Sequence, residues 1–403
     1  MRVLLIAPHY YGDDAGEGWS TYKWVEGISR RHDATILTMH RRDWNPDASP
    51  VASKEVVNWV EAWSPQVLQR FRREAKPWYI RFHWCARRWI RTAVRSGRHF
   101  DLVHQINPLA MRYACPARGF GIPFIMGPVG GSLKTPPAFD DGSSDRTWYR
   151  RLRSLDEWRM RNGRGLRDTY SKASLVLGVT PATEDFVSIA GCRRFEVMGE
   201  TGVDSVQSRI RPETDSTQPL RLLFVGRIIR TKGVIDAIRA VGIAARRCRV
   251  TFDILGDGEM IDECRREVES LGLGEIVTLH GNRPREEVNA WYDRSDVFLF
   301  PSFREPSGNV VFEAMGRGLP VITSSLGGPG YVVTDDCGFR FVPSTPALYA
   351  EKIAGGIMEL YDDRSLLSKK SRAALQRMES LAVWERKIER LDALYHEVAE
   401  SDE

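Results

Sequence analysis

The chain has 403 residues, 42% of them hydrophobic and 28% charged, with a net charge of +5. That length exceeds one ordinary core and predicts two domains, and no apolar run approaches the roughly 20 residues of a membrane span. The N-terminal "MRVLLIAPHYYG" passes from a short apolar strand straight to polar residues, without the apolar stretch and cleavage site of a secretion signal, so a cytoplasmic protein is expected. Cys85, Cys115, Cys192, Cys248, Cys264 and Cys337 show no C-x-x-C or zinc-like spacing and are read as buried or idle thiols.

In chain order, "RVLLIAP", "DATILTM", "DLVHQI", "PFIMGP" and "ASLVLGVT" are short apolar runs separated by amphipathic segments. The pattern restarts after residue 219 with "LRLLFVGR", "VTFDILGDG", "IVTLHGN", "DVFLFPS" and "LPVITSS". Strands buried on both faces and alternating with helices predict parallel α/β sheets. The polar, Pro-containing "SVQSRIRPETDSTQPL" reads as a linker between them. The expected organisation is a Rossmann-like domain over 1–204, a linker over 205–219, a second such domain over 220–380, and a closing helix over 381–403 packing back toward the first. Two doubly wound parallel sheets facing across a cleft are expected, with ligands at the carboxyl ends of the strands.

In "FVGRIIRTKGVIDAI", Arg227 and Lys232 flank a turn that opens a helix near Gly233. Cations beside free helix N–H groups suit a diphosphate, although solvated surface charge is the competing reading. In "PSFREPSGNVVFEAMGRGLPVI", Glu313 stands among apolar residues, eight positions after Glu305 at a strand end. A bare carboxylate in an apolar interior is costly, so Glu313 requires a polar partner: a ligand, or a local Arg such as Arg317. Between the two glutamates, Ser307 is read as a helix cap and Gly308 as a point of close backbone approach.

Together these residues resemble the donor domain of retaining glycosyltransferase family 4, which has the GT-B fold. The matching features are Gly226-Arg227-x4-Lys232-Gly233, "LGDGE" at Leu255 to Glu259, Glu305-x7-Glu313 and "EAMGRGLPVI". The resemblance implies that Arg227 and Lys232 hold the diphosphate of a nucleotide-sugar, that Glu313 binds the ribose, and that Glu305 lies against the sugar. The backbone of Gly308, Asn309 and Val310 would line the same pocket, with Asn282, Arg283 and Pro284 facing the base. In the first half, "APHYYGDDAGEGWSTYKWVEGI" resembles the family's glycine loop, where Gly16 and Gly18 would approach the diphosphate. "DLVHQINP" resembles its Asp-x-Val-His motif. The family's Thr-x-His has no counterpart in "FIMGPVGGS", which leaves Gly130 and Gly131 at that place. His104 is either an acceptor-side residue or a hydrogen-bonded core histidine.

The implied reaction is retaining transfer of a hexose-type sugar, from a UDP-sugar foremost, to the hydroxyl of a saccharide, lipid-linked or small-molecule acceptor. Polysaccharide, glycolipid or natural-product glycoside synthesis are the settings it implies. Charge growing on the leaving group would be met by fixed donors, with no cofactor or metal. No Asp-x-Asp stands at a strand end, and the "DD" pairs at Asp13, Asp140, Asp335 and Asp362 read as solvated turns. A phosphorolytic enzyme, a nucleotide-sugar epimerase and a non-catalytic nucleotide-sugar binding protein are the rival readings. The basic segments around Trp78, Trp84, Trp89 and Trp148 either lie on an anionic membrane, here its inner face, or form amphipathic helices with aromatics packed inward. They match no nucleic-acid module.

Overall fold

The computed structural model describes residues 1–12, 16–40, 55–61, 76–131, 133–140, 155–206 and 218–401. Trp148, Asp13, the basic run 68–75 and the linker residues 207–217 lie outside that set. The chain divides into two units, one of Met1–Ser132, Asp145–Glu200 and Trp384–Glu403, the other of Leu133–Ser144 and Thr201–Val383.

The first unit carries a parallel sheet of β1 (Arg2–Ile6), β2 (Asp33–His40), β3 (Glu55–Val60), β4 (Leu102–Gln105), β5 (Phe124–Val129), β6 (Leu175–Gly178) and β7 (Phe195–Val197). Their order is β3-β2-β1-β4-β5-β6-β7. Successive side chains point to opposite faces, so each apolar run feeds two cores. Leu4 and Ile6 join Phe82, Ile90 and Tyr170 on one face. Val3 and Leu5 join Trp24, Ile28, Leu391 and Tyr395 on the other. The last helix, Trp384–Ser401, thus covers the first sheet beside the helix Glu17–Arg31.

The second unit holds β8 (Leu220–Val225), β9 (Val250–Leu255), β10 (Val277–Gly281), β11 (Val297–Phe300), β12 (Val321–Ser324) and β13 (Gly338–Phe341), in the order β10-β9-β8-β11-β12-β13. All pairings are parallel. In each sheet the direction of winding reverses once, between β1 and β4 and between β8 and β11. Loops leaving the carboxyl ends of such a pair diverge and leave room for a ligand.

Residues 133–140 fall within the stretch 1–204 assigned above to the first domain, yet they pack with the second unit. Their anchor is Phe139, buried in that unit's core against Phe303 and Tyr349. Among the described residues, no helix is long and apolar enough to cross a membrane.

Candidate active site

The β8 loop is held open by backbone-on-backbone packing that only glycine permits. The amide of Ile228 donates to the Asp257 carbonyl at 2.9 Å, and a Cβ on Gly256 (φ 134°) would lie 1.9 Å from the Gly226 oxygen. One turn of 3-10 helix, Arg230–Lys232, then leads through Gly233 into the helix Val234–Ala244. Gly233 has φ 72°, and a Cβ there would meet the Pro301 carbonyl at 2.3 Å. A side chain at that position would push the β8 and β11 loops apart.

Those two loops meet at the Thr231 carbonyl, which accepts from Ser302 Oγ at 3.0 Å and from the Phe303 amide at 3.2 Å. Their side chains also converge: Lys232 Nζ is paired with Glu305 Oε2. Lys232 is only 8% exposed. Burial, then repulsion from Arg227, pushes its ammonium down to about 7; the carboxylate of Glu305 works in the opposite direction. Arg227 is exposed and forms no ion pair among the described residues. It is a guanidinium free to take an anion beside a buried amine.

Glu305 is positioned by a feature the motif reading missed. Its carbonyl accepts from the Gly328 amide at 2.9 Å, and a Cβ on Gly327 would come within 2.2 Å of that oxygen. The short helix Gly327–Val332 after β12 therefore clamps the 305–308 turn from behind. The doubled glycine of "LGGPG" is the sequence signal that marks this contact. Ser307 is not the cap expected of it: Gly308, at φ 80°, precedes the helix Asn309–Gly316, and no side chain caps that end. The Ser307 hydroxyl is buried without a partner among the described residues. The turn must reverse in the left-handed region before the helix starts, which places Gly rather than Ser at the boundary. The first amides of that helix, Asn309 and Val310, are free of intrahelical bonds.

Glu313 differs from the buried carboxylate that its apolar neighbours suggest, because 37% of its side chain is exposed. The helix is short and Glu313 lies on its outer edge, while Val311, Phe312, Ala314 and Met315 face the core. Tyr292 Oη donates to Glu313 Oε2 at 3.2 Å, and Arg285 Nη2 stands 3.8 Å from Oε1. Protein packed around the carboxyl raises its pKa above the usual carboxylate range, against the pull of Arg285. Arg317 pairs instead with Asp293 at 2.8 Å. Asn282, Arg283 and Pro284 are exposed and lead directly into the helix Arg285–Arg294, so this loop and Glu313 form one neighbourhood.

In the first unit, Gly16 (φ 68°) begins the helix Glu17–Arg31, and the Gly18 carbonyl accepts from the Tyr11 amide at 3.2 Å. Glu17 is the unforeseen centre of this corner: it accepts from the Leu109 amide at 2.8 Å and pairs with Lys76 at 2.6 Å. Burial works upward on its carboxyl, but Lys76 and that amide hold it below its ordinary value. The Gly130 amide donates to the Leu109 carbonyl at 2.8 Å, so Gly16, Gly18, Gly130 and Gly131 gather at the ends of β1, β4 and β5. His104 does not reach an acceptor. It lies on β4 with no exposed surface, its Nε2–H donating to the Gly127 carbonyl and its Nδ1 accepting from Tyr395 Oη, both at 2.6 Å. Burial lowers it to about 4, so it is a neutral core histidine.

Residues 206–377 match the family model of glycosyl transferases group 1, and residues 15–198 match a glycosyl transferase 4-like domain. A glycogen synthase from Mycobacterium tuberculosis is 30% identical over 186 residues, 46% of this chain and 44% of that one. The D-inositol 3-phosphate glycosyltransferase of Paenarthrobacter aurescens is 30% identical over 183 residues, covering 44% and 42%. The chain thus spans less than half the length of these curated relatives. Over its whole length it shares a fold with sucrose-phosphate synthase from Thermosynechococcus elongatus, at TM-score 0.68, 17% identity and 99% coverage of both chains. Anabaena HepE, solved with UDP, superposes at TM-score 0.65 and 16% identity over 98% of this chain and all of that one. Two Rossmann-like units, each built on a parallel sheet whose winding reverses once, and these matches across nearly the whole sequence make the chain a family 4-type glycosyltransferase of GT-B architecture.

Proposed function

We propose that the protein transfers a hexose-type sugar from a nucleoside diphosphate sugar to an acceptor hydroxyl, with retained anomeric configuration and without a metal. The observation that carries this reading is the meeting of buried Lys232 with Glu305 at the β8/β11 switch point, beside an exposed and unpaired Arg227. A UDP-sugar is the first donor to test, because HepE of the same fold was solved with UDP and glucose. As the bond between the anomeric carbon and the phosphate oxygen breaks, its electron pair moves to the diphosphate. Arg227, Lys232 and the free amides of Asn309 and Val310 are fixed donors for that charge. Glu305 faces the positive character that develops on the sugar ring. The acceptor oxygen bonds to the anomeric carbon on the same face, and its proton passes to the departing phosphate oxygen. Proton NMR of the first product is expected to show the donor's anomeric configuration, at an unchanged rate in excess chelator. An inverted product, or a strict need for added magnesium or manganese, overturns the scheme.

The two glutamates have separable roles. Glu313, with Tyr292 and Arg285 beside the 282–284 loop, serves the nucleoside, so Glu313→Ala weakens nucleoside diphosphate binding by about 1.5–3 kcal/mol, the range for charged hydrogen bonds. Glu305→Gln leaves that affinity nearly unchanged and lowers turnover. Calorimetry with nucleoside diphosphate checks this, and a loss of affinity confined to Glu305→Gln reverses the assignment.

A further inference from the structure

The helix Trp78–Arg95 contains five arginines and no acidic residue. Its inner face, Tyr79, Phe82, Ala86, Ile90 and Ala93, is buried in the first unit. Two of the tryptophans in question also turn inward: Trp89 packs near Phe100, and Trp78 lies 4.0 Å from the His9 ring. Trp84 does not. It is 61% exposed, and Ile80 one turn earlier is 76% exposed. Residues 80, 84, 88, 91 and 95 recur at helical spacing, so Ile80 and Trp84 continue into an outward stripe of Arg88, Arg91 and Arg95, with Arg81 alongside.

Two features set this stripe apart from an ordinary solvated face. A solvated helix face normally mixes both signs of charge, whereas here Arg81, Arg91 and Arg95 have no carboxylate partner among the described residues, and Arg88 lies over the Trp84 ring at 5.6 Å. Behind the stripe, two more cations stand together: Arg118 is held by His83 at 2.7 Å, and Arg87 by the Pro116 and Arg118 carbonyls at 2.9 Å. The 112–118 segment, which carries Arg118 and anchors Arg87, also meets the helices of residues 156–172, through Arg159 on the Arg112 carbonyl and Gly165 against Ala114. There Leu155 and Trp158 add a second pair of exposed apolar side chains, 46% and 62% open.

We infer that this face of the first unit docks on an anionic lipid surface, with Ile80 and Trp84 entering the headgroup layer and the arginine stripe meeting lipid phosphates. Uncompensated positive charge supplies long-range attraction to an anionic leaflet, and each arginine near it adds to the binding. The exposed isoleucine and tryptophan decide between lipid and other polyanions. Apolar tips gain from an acyl boundary, while tracking a nucleic-acid backbone gives an isoleucine nothing to bury.

The test is sedimentation of the full chain with vesicles of phosphatidylcholine, with or without phosphatidylglycerol. Binding is expected on the anionic vesicles only and falls as salt shortens the screening length toward about 8 Å at physiological strength. Ile80→Ser with Trp84→Ser, and separately Arg88→Glu with Arg91→Glu, each reduce vesicle affinity about tenfold or more. Arg88→Lys with Arg91→Lys retains it. All three pairs lie on the surface, so nucleoside diphosphate affinity stays unchanged and reports an intact fold. Equal binding to neutral vesicles overturns the inference. So does full vesicle affinity in the Ile80/Trp84 pair, and tighter binding to single-stranded DNA that depends on the arginines alone would mark a generic polyanion surface instead.

Discussion

Arg227→Ala and Lys232→Met each lower turnover at saturating donor by about a hundredfold or more, the usual consequence of losing one fixed donor to developing charge. The two variants fail for different reasons, and that difference is measurable. Arg227 is exposed and unpaired, so its removal leaves the fold untouched and the loss reports charge stabilisation. Lys232 is buried against Glu305, so its removal also strands a carboxylate and lowers stability. The depressed pKa of Lys232, about 7, adds a signature of its own. A folded-state value below that of the unfolded chain means the unfolded chain binds more protons between the two, so this group makes stability rise with pH above about 7. A bound diphosphate restores the charged form, so binding takes up a proton above that pH and little below it. Calorimetry at pH 8 in buffers of different ionisation enthalpy detects the uptake in the wild type and in Arg227→Ala, and not in Lys232→Met. Turnover within a few-fold of wild type in both variants places the pair outside the site.

Ten of the thirteen strands among the described residues stand in the sequence as apolar runs, and the three that do not share a physical reason. β3, β7 and β13 are all edges of their sheets. β3 alternates half-buried and exposed residues, and β7 has three residues, none fully buried. An edge strand is covered on fewer sides, so its hydrophobic pattern fades. The site divides in a similar way. Lys232 and Glu305 were legible because local loop geometry fixes them at strand ends. The exposure of Glu313 and the choice between the two readings of His104 were not legible locally, because each depends on distant groups: the outer edge of one short helix, and a tyrosine 291 residues away. Ser307 was misplaced by one position, because the capping preference of Ser competed with the left-handed turn that only Gly308 takes without cost. Nothing local to Leu133–Asp140 indicates that it belongs to the second unit, since Phe303, Arg304 and Tyr349, which anchor it, lie more than 160 residues downstream in the sequence.

That segment supports the second large effect: Phe139→Ala destabilises the second unit by about 3–5 kcal/mol, the range for truncating a buried aromatic. Phe139 is 2% exposed, with its ring 4.7 Å from Phe303 and edge-on to Tyr349 at 5.7 Å. The Arg230 guanidinium lies over it at 5.3 Å and is itself paired with Asp236 at 2.6 Å. Removing the ring therefore opens a cavity and exposes one side of a buried ion pair, and neither loss is repaired by collapse of the rigid strand ends around it. For a unit of 150–250 residues, a deficit of about 3 kcal/mol lowers the melting temperature by roughly 6–12 °C. Catalysis is also expected to suffer at temperatures where the fold persists. Arg304 donates to Thr135 on the same segment at 3.2 Å and is the immediate neighbour of Glu305, so releasing the segment loosens the carboxylate that faces the sugar. Phe139→Leu fills most of the space and recovers most of both losses. Melting within about 2 °C of wild type for Phe139→Ala, with unchanged turnover, would mean that residues 133–140 rest on the second unit without supporting it.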